Sequence, residues 1–191
     1  MKRGAWPLVG LAALFLGPLL IAVLLFAGRD YFGGFELLPN ADRELFENPA
    51  LIPVERLHLA DGTLSAEDWA RSRWSLIYAR MPACAGQCDA VLERLNQVFV
   101  ALGGERDRVG LVFLAPVDGY ASEIAAGYLV GDVRAPANNE LIRLLGPERL
   151  AEGRIFVVDP LGNVVASYPA DADQGRLLED LERLLAVSRI G

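Results

Sequence analysis

Cys84 and Cys88 are the two cysteines of this 191-residue chain, and His58 is its only histidine. Thiol or soft-metal chemistry in this protein therefore rests on that pair. A multi-cysteine disulfide scaffold and a histidine-rich metal site are both excluded. Cysteines spaced four apart at a helix start lie on one face over the first turn. Unpaired backbone N–H groups and the positive end of the helix dipole favour a thiolate there. Two such thiols can close a disulfide if the turn relaxes, or hold a soft ion such as Cu(I). The alternative is structural: a bridge that only staples the chain, or two small buried residues, because cysteine is among the most buried residue types.

Few other side chains compete for a chemical role. His58 falls in an early hairpin, remote in the pattern from the helix start, and reads as a surface or satisfied histidine. Met81 can offer a thioether to Cu(I), although methionines in such positions more often pack. An oxidised copper ion would have, besides sulfur and backbone, only a carboxylate such as Glu148 or Glu152. Trp69 and Trp74 read as core. No Ser-His-Asp set, phosphate-cradling loop or spaced acid pair is present.

The elements that must position the pair follow from periodicity. Trp74-Ser75-Leu76-Ile77-Tyr78-Ala79 is a buried strand, and Ala85 to Leu102 carries Val91, Leu92, Leu95, Val98 and Phe99 at helical spacing. The cysteines stand between the two. Val109 to Leu114 is a second buried strand, and Asn139 to Leu145 is the clearest helix in the long stretch from Asp118 to Leu150. Ile155 to Val158 is a third strand, followed by the turn Asp159-Pro160-Leu161-Gly162-Asn163 and its partner Val164 to Tyr168. Leu177, Leu178, Leu181, Leu184 and Leu185 mark a closing helix. Upstream, Val54 to Leu59 with Ala60-Asp61-Gly62 predicts a strand and hairpin, and Ser65 to Trp69 a short helix start. Strand, helix, strand, helix, hairpin, helix is the order of a thioredoxin-like α/β domain with a parallel centre.

The amino-terminal segment sets the compartment. Trp6 to Gly28 is a run of 23 residues without a charge, and a helix needs about 20 apolar residues to cross a bilayer. A cleaved signal has a shorter core of roughly 7–15 residues and a small-x-small site; Phe26-Ala27-Gly28-Arg29 offers neither. Residues 1–28 are thus expected to be a retained transmembrane anchor, 29–52 a linker, and 53–191 the thioredoxin-like domain. Lys2 and Arg3 place the amino terminus in the cytoplasm and the domain in the periplasm of a bacterium, at its inner membrane. That compartment is oxidising, so paired thiols there form a disulfide unless something reduces them. The net charge of −7 argues against a nucleic-acid partner.

The layout resembles the SCO/SenC family of membrane-anchored, thioredoxin-like cytochrome c oxidase assembly proteins. The likeness runs over about residues 54–188. It is carried by Leu57-His58-Leu59-Ala60-Asp61-Gly62, the Trp74-to-Cys88 strand with its Cys-x-x-x-Cys turn, and Ile155-Phe156-Val157-Val158-Asp159-Pro160-Leu161-Gly162. Ala85 and Asp89 stand where the family has prolines. The segment Gly146 to Gly153, where the family places its copper-binding histidine, has none, and no proline stands immediately before Ile155. Only Cys84 and Cys88 carry over as site residues, for thiol–disulfide catalysis or as Cu(I) ligands. The resemblance implies copper as a cofactor or cargo and a cytochrome oxidase subunit or copper-assembly protein as partner. Without the histidine, a redox helper that keeps a partner's cysteines reduced comes first and copper delivery second. A non-catalytic periplasmic scaffold with a structural disulfide is the competing expectation.

Overall fold

Six consecutive buried residues, Trp74–Ala79, form a central strand (β2). The computed structural model describes residues 43–84, 87–116 and 127–188, with positions 16, 125 and 190. The chain divides into a unit of residues 1–39 and one of residues 40–191, and every element below belongs to the second. These are β1 (Glu44–Leu51), β2, α1 (Gln87–Ala101), β3 (Val109–Ala115), β4 (Leu129–Asp132), α2 (Asn139–Leu145), α3 (Pro147–Glu152), β5 (Arg154–Val158), β6 (Asn163–Pro169) and α4 (Gln174–Val187). The expected anchor over residues 1–28 lies outside the described residues. Among the described residues no helix is long and apolar enough to cross a membrane.

The strands form one sheet in the order β1-β6-β5-β2-β3-β4. β2, β3 and β4 run parallel, whereas β5 is antiparallel to both β2 and β6. Because strand side chains alternate, this sheet has two cores. Trp74, Leu76 and Tyr78 join Leu111, Phe113, Ile155 and Val157 beneath α1 and α4, where Leu92, Leu95, Leu181 and Leu185 pack on them. Ile77, Ala79, Leu114, Phe156 and Val158 face the other way, against Leu141, Leu145, Leu150, Leu57 and Trp69. Burying each leucine-sized side chain contributes about 1.5–3 kcal/mol, so the sheet is pinned from both sides. Register errors are costly, since a slip of one residue exchanges the two cores.

Three expectations change. The stretch 29–52 contains β1, antiparallel to β6, with a register shift between Leu45 and Ala50. The shift and the exposure of Leu45 and Leu51 erase the alternation that marks a strand, and Pro49 is tolerated because β1 pairs on one side only. The expected strand over 54–59 is reduced to the single bridges His58 to Leu64 and Leu59 to Gly131. No helix starts at Ser65; its hydroxyl instead accepts the Leu57 N–H at 2.8 Å. β4 escapes sequence patterning because it is four residues long and holds a glycine. That glycine has a packing cause: a Cβ on Gly131 would lie 2.7 Å from side-chain carbons of Leu57 and Leu114.

Candidate functional site

The chain leaves β2 under control. The Arg80 N–H donates to the Leu114 carbonyl at 2.9 Å and the Met81 N–H to the Leu150 carbonyl at 2.8 Å. These bonds tie the exit of the strand to β3 and α3, and they aim the next residues across the sheet end. Pro82 fixes its own φ and biases Met81 away from helical dihedrals, so the approach to the cysteines is not helical. α1 begins at Gln87. Only Cys88 therefore rides on the helix, and Cys84 precedes it, where the sequence placed both over the first turn.

The two sulfurs are bonded, at an S–S distance of 1.98 Å and a Cα separation of 5.5 Å. The pair is asymmetric. Cys88 is fully buried in the core beneath α1, whereas Cys84 is half-buried at its margin. Of the two, Cys84 is the more open to an attacking thiol.

Tyr78 meets the buried sulfur, with Arg80 and Gly153 beside its hydroxyl, and none of the three stands out in the sequence. The Tyr78 hydroxyl lies 3.7 Å from Cys88 Sγ. Its ring stacks on Phe113 with centroids 5.7 Å apart, and burial pushes its phenol above the ordinary value while Arg80 and Arg94 pull the other way. The Arg80 guanidinium donates to Gln87 Oε1 at 3.3 Å and to the Glu152 carbonyl at 3.5 Å. It thus sets positive charge beside the start of the helix that carries Cys88, a setting that favours thiolates. Gly153, at φ +79°, is where phenol and guanidinium come together: a Cβ there would stand 3.1 Å from the Tyr78 oxygen and 3.2 Å from Arg80 Nη1. The signal for Tyr78 was parity. It shares its face of β2 with Trp74 and Leu76, the face that α1 covers.

The other donors are not brought to the pair. His58 lies beyond β4, bridged through Leu59 to Gly131. Its backbone is held by Asn138, which accepts the His58 N–H and donates to the His58 carbonyl, both at 3.1 Å. At about 4.8 Å per strand, three strand steps separate it from β2. Met81 is 41% exposed. Glu148 and Glu152 line a cleft of about 470 Å³ with Glu44, Arg149 and Arg154, and neither cysteine lines it. There Arg149 hydrogen-bonds Glu44 and holds its carboxyl below the usual range. Among the described residues no group of three His, Cys, Asp or Glu side chains is placed to hold a metal ion. Among the described residues the donors at the pair are two sulfurs, a set that suits a soft ion such as Cu(I) better than Cu(II), which prefers nitrogen and oxygen in a tetragonal arrangement.

A mixed sheet between helical layers, with a cysteine pair where its central strand passes into the first helix, defines a thioredoxin-like protein. Residues 74–188 match the family described as transmembrane-like, thioredoxin-like, C-terminal domain, and the chain belongs to that family. Its fold is that of the Sco proteins. Apo Sco1 from Thermus thermophilus aligns over 80% of this chain and 99% of its own, at 19% identity and a TM-score of 0.59. Yeast Sco1 with copper bound aligns over 74% and 96%, at 15% identity and a TM-score of 0.59. BsSco, a member of the Sco family of cytochrome c oxidase assembly proteins in which a disulfide switch was identified, aligns over 75% and 99%, at 13% identity and a TM-score of 0.51. At these identities the likeness is one of fold. No curated protein matches the sequence.

Proposed function

We propose that this protein is a membrane-anchored thiol–disulfide redox helper for assembly of a respiratory cytochrome oxidase, with Cys84 as the attacking sulfur and Cys88 as the resolving one. The observation that carries this reading is the asymmetry of the pair, half-buried Cys84 against fully buried Cys88 at one strand–helix junction. In the reduced protein the Cys84 thiolate attacks a partner disulfide and forms a mixed disulfide, releasing one partner thiolate. Cys88 then attacks Cys84 Sγ, the second partner thiolate leaves, and the Cys84–Cys88 bond closes. A dithiol reductant resets the pair. Residues 1–28 are the anchor in the bacterial inner membrane, and the domain faces the periplasm, the orientation that the charges of Lys2 and Arg3 support. The partner is a protein whose copper-binding cysteines must stay reduced, a role that the Sco fold supports. Holding Cu(I) between the two reduced thiolates is the second reading, favoured by two soft donors at one junction.

The test is the potential of the pair. The full chain is equilibrated in glutathione buffers, and Cys84 and Cys88 are counted by alkylation. A working pair titrates between about −120 and −270 mV, the span of exchange-active dithiols. A potential below about −300 mV marks a structural bridge, and the scaffold reading then replaces this one.

A further inference from the structure

We infer that the Tyr78 hydroxyl is a catalytic hydrogen-bond donor to Cys88 Sγ, stabilising the thiolate that leaves when the Cys84–Cys88 bond is attacked at Cys84. The inference rests on the redox reading above and adds a residue outside the cysteine pair.

Cys88 is fully buried, and burial disfavours a charged sulfur. A thiolate that departs into this core needs a donor already in place. The Tyr78 hydroxyl is 3.7 Å from that sulfur. In the disulfide Cys88 carries no proton, so the hydroxyl is the donor of this contact. Its position is not adjustable: the ring is fully buried and stacked on Phe113 within 8° of parallel. The charged groups that face the phenol are Arg80, from the exit of β2, and Arg94, from α1. Both are cations, so the surroundings tolerate added negative charge.

The step balances without an external proton. An incoming thiolate forms a bond to Cys84 Sγ while the Cys84–Cys88 bond breaks, and the bonding pair goes to Cys88 Sγ. The phenol keeps its proton, and its hydrogen bond strengthens as the acceptor becomes an anion, because bonds to ionised acceptors are stronger than neutral ones. Burial raises the phenol above its ordinary value, which keeps it protonated and able to donate at neutral pH. In the opposite direction the same donor holds Cys88 as a thiolate ready to resolve the mixed disulfide.

The experiment is the rate of disulfide reduction in the full chain by dithiothreitol, measured across pH, for wild type and Tyr78→Phe. The substitution keeps the ring and its stack. Hydrogen bonds to charged groups are worth enough to predict a roughly tenfold to hundredfold slower reduction, with the Cys88 thiol titrating at higher pH. A second variant carries difluorotyrosine at position 78, an isosteric and more acidic phenol, and is expected to be reduced faster than wild type. A rate and pH profile indifferent to both changes overturns the inference. The wild-type potential separates the two proposals. A structural potential sinks both, whereas an exchange-active pair insensitive to position 78 sinks this one alone.

Discussion

Two tyrosines stand on the same face of the sheet, Tyr78 on β2 and Tyr168 on β6, both under α1 and α4. Their partners differ in kind. The Tyr168 hydroxyl donates to Asp180 Oδ2 at 3.0 Å, and the same oxygen accepts from Arg43 Nη1 at 3.3 Å. The Arg43 and Asp180 side chains are only 7% and 3% exposed. Burial and the carboxylate push the Tyr168 phenol far above its ordinary range. In this cluster one anion holds one phenol and one cation, and it ties the residue before β1 to α4. Tyr78 donates to a neutral disulfide sulfur, a weak acceptor. Its capacity as a donor goes largely unused until the sulfur becomes charged. The difference teaches that a strongly paired buried phenol is a structural fixture, whereas one set against a reactive, weakly accepting atom is available to chemistry.

The largest effect that would break this comparison is at Asp180. Asp180→Ala leaves the Arg43 charge buried without its carboxylate, and breaking such a pair costs about 3–5 kcal/mol. Urea unfolding followed through the buried Trp69 and Trp74 should show that loss; a cost below about 1 kcal/mol would mean the cluster is not a fixture. Next come the matched hydroxyl deletions. Tyr168→Phe removes a hydrogen bond to a charged group and should cost about 1.5–3 kcal/mol, whereas Tyr78→Phe, which removes a bond to neutral sulfur, should cost less than about 1 kcal/mol. Equal costs in the same unfolding assay would erase the contrast.

The smallest effect sharpens the comparison at the exposed end of β1. The Glu44 carboxyl is held below its ordinary value of 4.5 by its hydrogen bond with Arg149. A carboxylate depressed in the fold contributes stability above its unfolded pKa and loses it as pH falls through the folded one. Stability from this pair is therefore full above about pH 4.5 and declines below it. Glu44→Gln should flatten that acid limb and cost no more than about 1 kcal/mol at neutral pH, because the pair is exposed. An acid limb unchanged by the substitution would show that other carboxylates carry it.

How far the molecule could be read from its residues follows from the same contrast between strong and weak signals. β2, β3 and β5 were legible because both faces of each are buried, leaving unbroken apolar runs, and α1 and α4 because their leucines recur at helical spacing. β1 was not, since a register shift and an exposed face leave no period. At the site, the types and spacing of Cys84 and Cys88 announced them, and His58 was read as distant from them, as its place beyond β4 bears out. Tyr78 was hidden by its surroundings: in a strand where all six side chains are buried, an aromatic residue with a polar tip looks like its apolar neighbours. Arg80 and Gly153 are far apart in the chain, and only the pairing of Ala79 with Arg154 across β2 and β5 brings them together.

Gly153 has a consequence for lineage. Its missing side chain leaves the space in which the Tyr78 oxygen and the Arg80 guanidinium approach each other, and its positive φ already disfavours other residues. Positions 78, 80 and 153 are therefore sterically coupled. A side chain gained at 153 would have to push the phenol oxygen or the guanidinium aside by a few tenths of an ångström and bear the strain of its φ, whereas loss of the phenol eases the first demand and leaves the second. Among divergent members of the family these three positions should drift together, and a tyrosine paired with glycine will mark the chains that keep a donor under the buried cysteine.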